Sequence, residues 1–162
     1  MATESRQLTV PDLSLMLSHA SRVLATRMAA ALAGIGMTPR GQCVLVHALP
    51  GELTQVELAR LTDLDKTTMV ITLDELEQAG YAERRPSPAD RRARIVTVTE
   101  GGERIAAAGR EIVNRVHREV LEALPPGERE TFAAALARLV GGPLATPVKG
   151  TRPVRRARYP RS

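Results

Sequence analysis

Apolar residues return at intervals of three and four from Leu13 to Leu32. Leu13, Met16, Leu17, Ala20, Val23, Leu24, Met28, Ala31 and Leu32 share one side of a helix. Pro11 and Asp12 open that helix, and Gly34 with Gly36 closes it. Thr38-Pro39 restarts the chain, with threonine as N-cap and proline at the first helical position, where its missing N–H costs nothing. This short helix is expected to reach about Leu49, ahead of Pro50-Gly51. Thr54-Gln55-Val56-Glu57 spells a capping box before Leu58-Ala59-Arg60-Leu61. After a tight turn at Thr62-Asp63-Leu64, Asp65 caps another helix. Its inward face is Met69, Thr72, Leu73 and Leu76, and Gly80 closes it.

Beyond Gly80 the period changes. Tyr81 to Arg85 reads as one strand, and the alternating, β-branched run Arg94-Ile95-Val96-Thr97-Val98 reads as a second. Pro86-Ser87-Pro88-Ala89-Asp90 cannot continue a ladder and forms the tip. Thr99 caps a following helix whose first turn Gly101-Gly102 weakens. Ile105, Ala108, Ile112, Val116, Val120 and Leu121 give that helix an apolar face to about Ala123, where Leu124-Pro125-Pro126 breaks it. A last helix carries Phe132, Ala135, Leu136, Leu139 and Val140 and ends at Gly141-Gly142. Two short helices around a three- to four-residue turn, then a hairpin, make a winged helix-turn-helix. The fold class is mainly α with a small β-wing.

Composition narrows the rest. At 162 residues the chain can bury a core as one domain. Aromatics are 2% (Tyr81, Phe132, Tyr159), which favours packed helices and removes the stacking platforms of single-strand and RNA binders. The net charge is +5, but Lys149, Arg152, Arg155, Arg156, Arg158 and Arg161 put +6 beyond Pro143 with no acid, so the rest of the chain carries −1. Within that rest, Arg84 to Arg94 holds five arginines against Asp90. Two basic patches on a mildly acidic body point to a polyanion. The bland reading is a solvated loop and a tail. The polar residues up to Val10 are expected to fray, and the Pro/Arg-rich segment 143–162 to be disordered in isolation.

Several chemistries find no support. One cysteine, Cys43, excludes an internal disulfide and a cysteine-based metal cage, in keeping with a reducing cytoplasm. There is no Gly-rich phosphate loop, nucleophile elbow, His-x-x-x-His or Cys-x-x-Cys spacing. His19, His47 and His117 show no metal-ligand pattern. No enzyme activity, metal or cofactor is expected. The N-terminus lacks a leader pattern, and no apolar run reaches the roughly 18 residues of a membrane span.

The stretch LDKTTMVITLDELEQAGYAERRPSPADRRARIVTVTEGG resembles the multiple-antibiotic-resistance regulator (MarR) family of dimeric winged-helix transcription factors. Its wing pattern, Asp-x-Arg followed by a strand ending in Thr and then Gly, is met by Asp90, Arg92, Thr99 and Gly101-Gly102. Leu76-Glu77-x-x-Gly80 and Glu83-Arg84 match as well. The resemblance covers roughly Pro11 to Gly142. It implies a single domain over 1–142, with dimerisation helices at about 11–35 and 100–142 and a winged helix at about 38–99. It further implies a homodimer on a pseudo-palindromic duplex, more often a repressor than an activator, released by a small aromatic or phenolic effector or by thiol oxidation.

Site roles follow from the resemblance and from residue chemistry. Asp90 is expected to orient Arg92 by a charge-assisted hydrogen bond, and Arg92 or Arg91 to enter a narrow minor groove. Arg84, Arg85 and Arg94 add charge to the wing. Lys66 is expected on phosphate; Arg40, a cation misplaced in a first helical turn, is either a solvated charge or a phosphate contact; Thr54 and Gln55 are counted among the DNA-binding residues. Thr67 or Thr68 can meet base edges, and Val70 or Ile71 a thymine methyl. The commoner family pattern has Ser and Arg where Val70 and Ile71 stand, so thymine methyls and shape replace guanine readout. The family's effector pocket lies where the first two helices meet the fifth, so His19, Arg22 and His47 are its candidate ligands. Cys43 is expected to be a small inert hydrophobe; the alternative is a thiol redox sensor. Rival readings are a sequence-independent DNA coater and an interaction module with an idle wing.

Overall fold

Side-chain caps start most of the helices. The computed structural model describes residues 12–146 apart from 52, 89 and 91, and in it the elements run α1 (Leu13–Ala33), α2 (Pro39–Ala48), α3 (Gln55–Leu61), α4 (Lys66–Gln78), β1 (Ala82–Pro86), β2 (Arg94–Val98), α5 (Glu100–Glu122) and α6 (Pro126–Val140). Asp12 accepts the Leu15 N–H at 2.9 Å, and Thr38 accepts the Gly41 N–H at 3.0 Å. Asp65 accepts the Thr68 N–H at 2.9 Å, and Thr99 accepts the Gly102 N–H at 3.0 Å. Thr54 and Glu57 satisfy one another reciprocally, completing the capping box. Each such bond satisfies a donor that the first helical turn leaves without an intrahelical partner. α6 has no side-chain cap, and Pro126 in its first turn needs none for its missing N–H.

β1 and β2 pair antiparallel, with Ala82 opposite Val98 and Pro86 opposite Arg94. Leu53 and Thr54 extend the pairing on the far side of β2: Thr54 bridges Ile95, and the Val96 N–H donates to the Leu53 carbonyl at 3.0 Å. β1 is therefore the edge. Pro86, expected to end the ladder, instead forms its last rung. The Ser87 N–H donates to the Ala93 carbonyl one residue further on. Alternation then makes Pro86–Arg94 a non-hydrogen-bonded pair, whose missing N–H would point off the open edge.

Two units make up the chain, Met1–Glu119 and Val120–Ser162. The core of the first joins Leu32, Val44, Leu45, Leu58, Met69, Leu73 and Val96, all fully buried. The inward face of α4 is as the periodicity gives it, with Met69, Thr72, Leu73 and Leu76 buried.

α5 and α1 differ from expectation. The buried line on α5 is Gly102, Ala106, Gly109 and Val116, with Val113 and Ile112 half-buried, while Ala108 and Val120 are exposed. Small residues lie there because backbone and side chains press close. A Cβ on Gly102 would stand 2.0 Å from the Tyr81 carbonyl oxygen, and one on Gly109 would stand 2.0 Å from Gln42 Oε1. The glycines that weaken the helix in isolation are what let it reach the winged helix. α1 buries only Met28 and Leu32, and Leu13, Leu15, Met16 and Val23 are exposed.

In the second unit, Arg129 donates to the carbonyls of Leu124 at 3.0 Å and Glu122 at 3.3 Å, satisfying groups that α5 leaves open at its end. Phe132, Val140 and Leu144 are exposed. Among the described residues no helix is long and apolar enough to cross a membrane.

Candidate nucleic-acid interface

The first turns of α4 sort their own side chains. Asp65 takes both the N–H and the hydroxyl of Thr68, the latter at 2.6 Å, so the Thr68 proton is already committed. The Thr68 hydroxyl, followed by its N–H, holds the Asp65 carboxyl below the usual range. Lys66, Thr67 and Ile71 remain exposed, Ile71 at 51%, and Val70 is half-buried. An apolar side chain half in water on the outward turn of such a helix is available for contact.

On α3 the Thr54 hydroxyl donates to Glu57 at 2.7 Å and accepts the Glu57 N–H at 3.3 Å, so it is spent on the cap. The Thr54 N–H, then its hydroxyl, lowers the Glu57 carboxyl. Gln55 is half-buried, and Arg40 is exposed in the first turn of α2. Gln55 and Lys66 share a groove of about 380 Å³ between α3 and α4 with Arg60, Asp63 and Met69. Asp63 turns the chain there with φ of 53°, a conformation that aspartate tolerates better than most residues.

The wing is ordered by Asp90 in a way that differs from the expected one. Asp90 Oδ1 accepts the backbone N–H of Arg92 at 2.8 Å rather than its guanidinium. The Asp90 carbonyl accepts the Ala93 N–H at 3.0 Å. Asp90 thus sets the backbone of the turn from which the exposed Arg92 side chain leaves, an Asx-type turn. Arg85 pairs with Glu83 at 2.6 Å on the surface. Arg94 is exposed and reaches the Ala93 carbonyl at 3.4 Å. Arg91 lies outside the described residues, as does the tail from residue 147 onward.

Arg84 is placed unlike the exposed Arg85 and Arg92. Its backbone N–H donates to Glu77 Oε1 at 2.7 Å, and its Nε donates to Glu77 Oε2 at 3.0 Å. Its Nη2 reaches Asp74 Oδ1 at 2.5 Å and also meets Glu77 Oε2. The guanidinium holds the Glu77 carboxyl below its ordinary value, and Glu77 raises that of Arg84. Neither Asp74 nor Glu77 is among the site residues that the sequence predicts, although Glu77 belongs to the Leu76-Glu77-x-x-Gly80 pattern.

A second cavity, of about 320 Å³, opens between α1, α2 and α5. Met28, Leu32, Val46 and Val113 make most of its wall, and Cys43, His47, Gln42 and Arg110 supply the polar groups. Of the three sequence-derived candidates only His47 lines it. His19 and Arg22 lie on exposed α1, hydrogen-bonded to one another at 3.2 Å.

His47 Nδ1 lies 2.8 Å from the Cys43 carbonyl, which can only accept, so that nitrogen carries the proton. The thiol 3.7 Å away therefore faces no base there. Burial also pushes the Cys43 thiol up, which opposes thiolate formation. Gln42 is buried, its Nε2 donating to the Ala106 carbonyl at 2.8 Å, with Oε1 unpaired among the described residues. Among those residues no group of three or more His, Cys, Asp or Glu side chains converges as metal ligands would.

Residues 44–93, from α2 through the wing tip, match a family model described as the MarR family. Among solved structures the chain is similar to a probable transcriptional regulator from Pseudomonas aeruginosa. Identity there is 29% and the TM-score 0.73, over 80% of this chain and 97% of that one. It is similar to the transcriptional repressor CouR bound to a 23-mer DNA duplex, at 28% identity and TM-score 0.71, over 79% of this chain and 92% of that one. A MarR family protein of Mycobacterium tuberculosis in complex with p-aminosalicylic acid is similar at 26% identity and TM-score 0.66, over 78% of this chain and 97% of that one.

Proposed function

We propose that the chain, which matches the MarR family model over residues 44–93 and is similar to solved MarR family proteins, is a winged-helix transcriptional regulator of that family, a ligand-responsive repressor that binds double-stranded DNA as a homodimer. The observation that carries this reading is the pairing of two unlike probes on one surface. α4 presents Lys66, Thr67 and Ile71 outward, while the adjoining hairpin presents Arg92 from a turn fixed by Asp90. A helix of this kind fits the major groove and a cationic hairpin the minor groove beside it.

Lys66, with Arg40, Arg85 and Arg94, contacts phosphate; Thr67 meets a base edge; Ile71, and Val70 to a lesser extent, meets thymine methyls. Gln55 lies at the groove between α3 and α4, within reach of the same backbone. Thr68 and Thr54 serve as the caps that aim their helices. Two copies related by a two-fold axis would place their recognition helices about one helical turn apart on a pseudo-palindrome. The exposed apolar residues of α1 support the pairing of two copies, because bare patches of this kind mark interaction surfaces.

The cavity between α1, α2 and α5 suits a small aromatic effector with one acidic group: apolar walls for the ring, and exposed Arg110 and His47 for a carboxylate or phenol. Occupancy releases DNA only if the ligand favours a dimer geometry that misses successive grooves, which requires unequal affinity for the two states.

Selection from a random duplex pool, followed by sizing of the complex, tests the reading. The expected return is an inverted repeat with A·T-rich steps, bound by two protomers. A pool that returns no motif makes the chain a sequence-independent coater instead. An invariant guanine opposite α4 would sink the thymine-methyl readout.

A further inference from the structure

We infer that Glu77 and Asp74, two acids on the recognition helix, promote DNA binding by clamping Arg84 and thereby fixing the angle between α4 and the wing. The inference rests on the DNA-binding reading and assigns three residues a positioning role that neither the family match nor the sequence gives them.

The chemistry of an edge strand supplies the first half of the argument. Arg84 stands opposite Val96 on β1. It lies two residues before Pro86, so it too is a non-hydrogen-bonded rung whose N–H points away from β2. Left alone, that donor would sit on an open sheet edge. Glu77 Oε1 satisfies it at 2.7 Å, and the same carboxylate takes the Nε of Arg84 at 3.0 Å. One glutamate therefore grips both the backbone and the side chain of one residue. Asp74, one turn earlier on α4, accepts at 2.5 Å from Nη2, the same nitrogen that meets Glu77 Oε2.

The second half concerns what the clamp leaves over. The Arg84 side chain is 22% exposed and faces two carboxylates, so it is poorly placed to neutralise a phosphate. Its value lies in leverage. A strand rises about 3.3 Å per residue, so the tip lies on the order of 15 Å beyond the Arg84 rung, and a tilt of about 10° there moves it by about 2–3 Å. That displacement exceeds the tolerance of a hydrogen bond. Arg92 and α4 then no longer meet adjacent grooves together.

The sign of one substitution separates this from ordinary electrostatics. An acid near a polyanion normally repels it, so Glu77→Gln should tighten DNA binding if Glu77 is merely a surface charge. The clamp predicts the reverse: Glu77→Gln and Arg84→Gln each weaken binding to the selected duplex by about tenfold, since charge-assisted hydrogen bonds are lost. The salt slope falls alike in both variants, because both displace the same wing cations rather than removing one phosphate contact. Arg84→Lys, which keeps the ion pair but not the fork, recovers part of the loss. Hydroxyl-radical footprints of Glu77→Gln lose minor-groove protection flanking each half-site while major-groove methylation interference persists.

Circular dichroism checks the fold of each variant. Should Glu77→Gln not fold, Asp74→Asn leaves the backbone bond in place and is expected to show a smaller loss of the same kind. Equal or tighter binding by these variants, or a salt slope that falls in Arg84→Gln but not in Glu77→Gln, overturns the inference. A wild-type chain that binds no duplex selectively sinks the DNA reading and the clamp with it. Selective wild-type binding that Glu77→Gln leaves intact sinks the clamp alone.

Discussion

The short helix α2 and the long helix α1 dispose of their apolar residues in opposite ways. α2 spans 10 residues and buries Val44, Leu45 and Ala48 almost completely. α1 spans 21 and buries only Met28 and Leu32, leaving Leu15 67% and Met16 55% exposed. α2 belongs to a core that the chain finishes by itself. α1 carries an apolar face that is exposed among the described residues, at its far end from that core. A winged helix with its own core beside an exposed helical face supports the proposed pair of DNA-reading heads joined through a shared helical region.

The largest expected effect falls on the finished side. Leu73 is fully buried, and Leu73→Ala should lower unfolding free energy by about 2–5 kcal/mol through lost transfer energy and a residual cavity. Leu15→Ala, measured on dissociated chains, should change it by less than about 0.5 kcal/mol. Comparable losses in the two variants by urea denaturation would erase the distinction.

Next comes the open side. The double substitution Leu15→Glu, Met16→Glu places charges where the proposed second copy packs. Sedimentation should then show monomers, and operator affinity should fall by about 100-fold or more as the shared attachment of two heads is lost. A variant that remains dimeric would mean that α1 faces something else.

Smaller effects resolve the heads themselves. Arg92→Ala should cost about 1–3 kcal/mol of operator binding, concentrated at the steps flanking each half-site. Thr38→Ala should cost about 1 kcal/mol of stability by removing the cap on α2, with operator sequence preference untouched. Glu77 adds a pH signature. Its carboxyl is lowered in the folded chain, so its contribution is complete above the ordinary glutamate range. That contribution is lost as pH falls through that range toward the folded value. Acid unfolding of Glu77→Gln should therefore lose part of its slope there.

Much of the winged helix is legible in the sequence because its signals are local. Caps at Thr38, Thr54, Asp65 and Thr99, the inward spacing of Met69 to Leu76, and the switch to alternation at Arg94 each act within a few residues. What was not legible depends on contacts across the fold. The pairing beyond β2 is a bridge at Thr54 and one bond accepted by the Leu53 carbonyl, too short to alternate. The packed line of α5 is Gly102, Ala106 and Gly109, and small residues carry almost no hydropathy signal. Arg84 looked like its neighbours because a clamped arginine and a solvated one have the same letter. The cavity joins Met28, Cys43, His47 and Arg110 from three helices, a convergence with no sequence period. His19 and Arg22 lay on the right helix but on an exposed stretch of it.

Selectivity under salt tests the central proposal most directly. The selected duplex and a scrambled duplex of equal length would be titrated against the full chain across a range of salt concentrations. A sequence-specific regulator should weaken on both as salt rises yet keep a ratio of about 10³ or more between them. Affinities that fall together, with the ratio near one throughout, would contradict it.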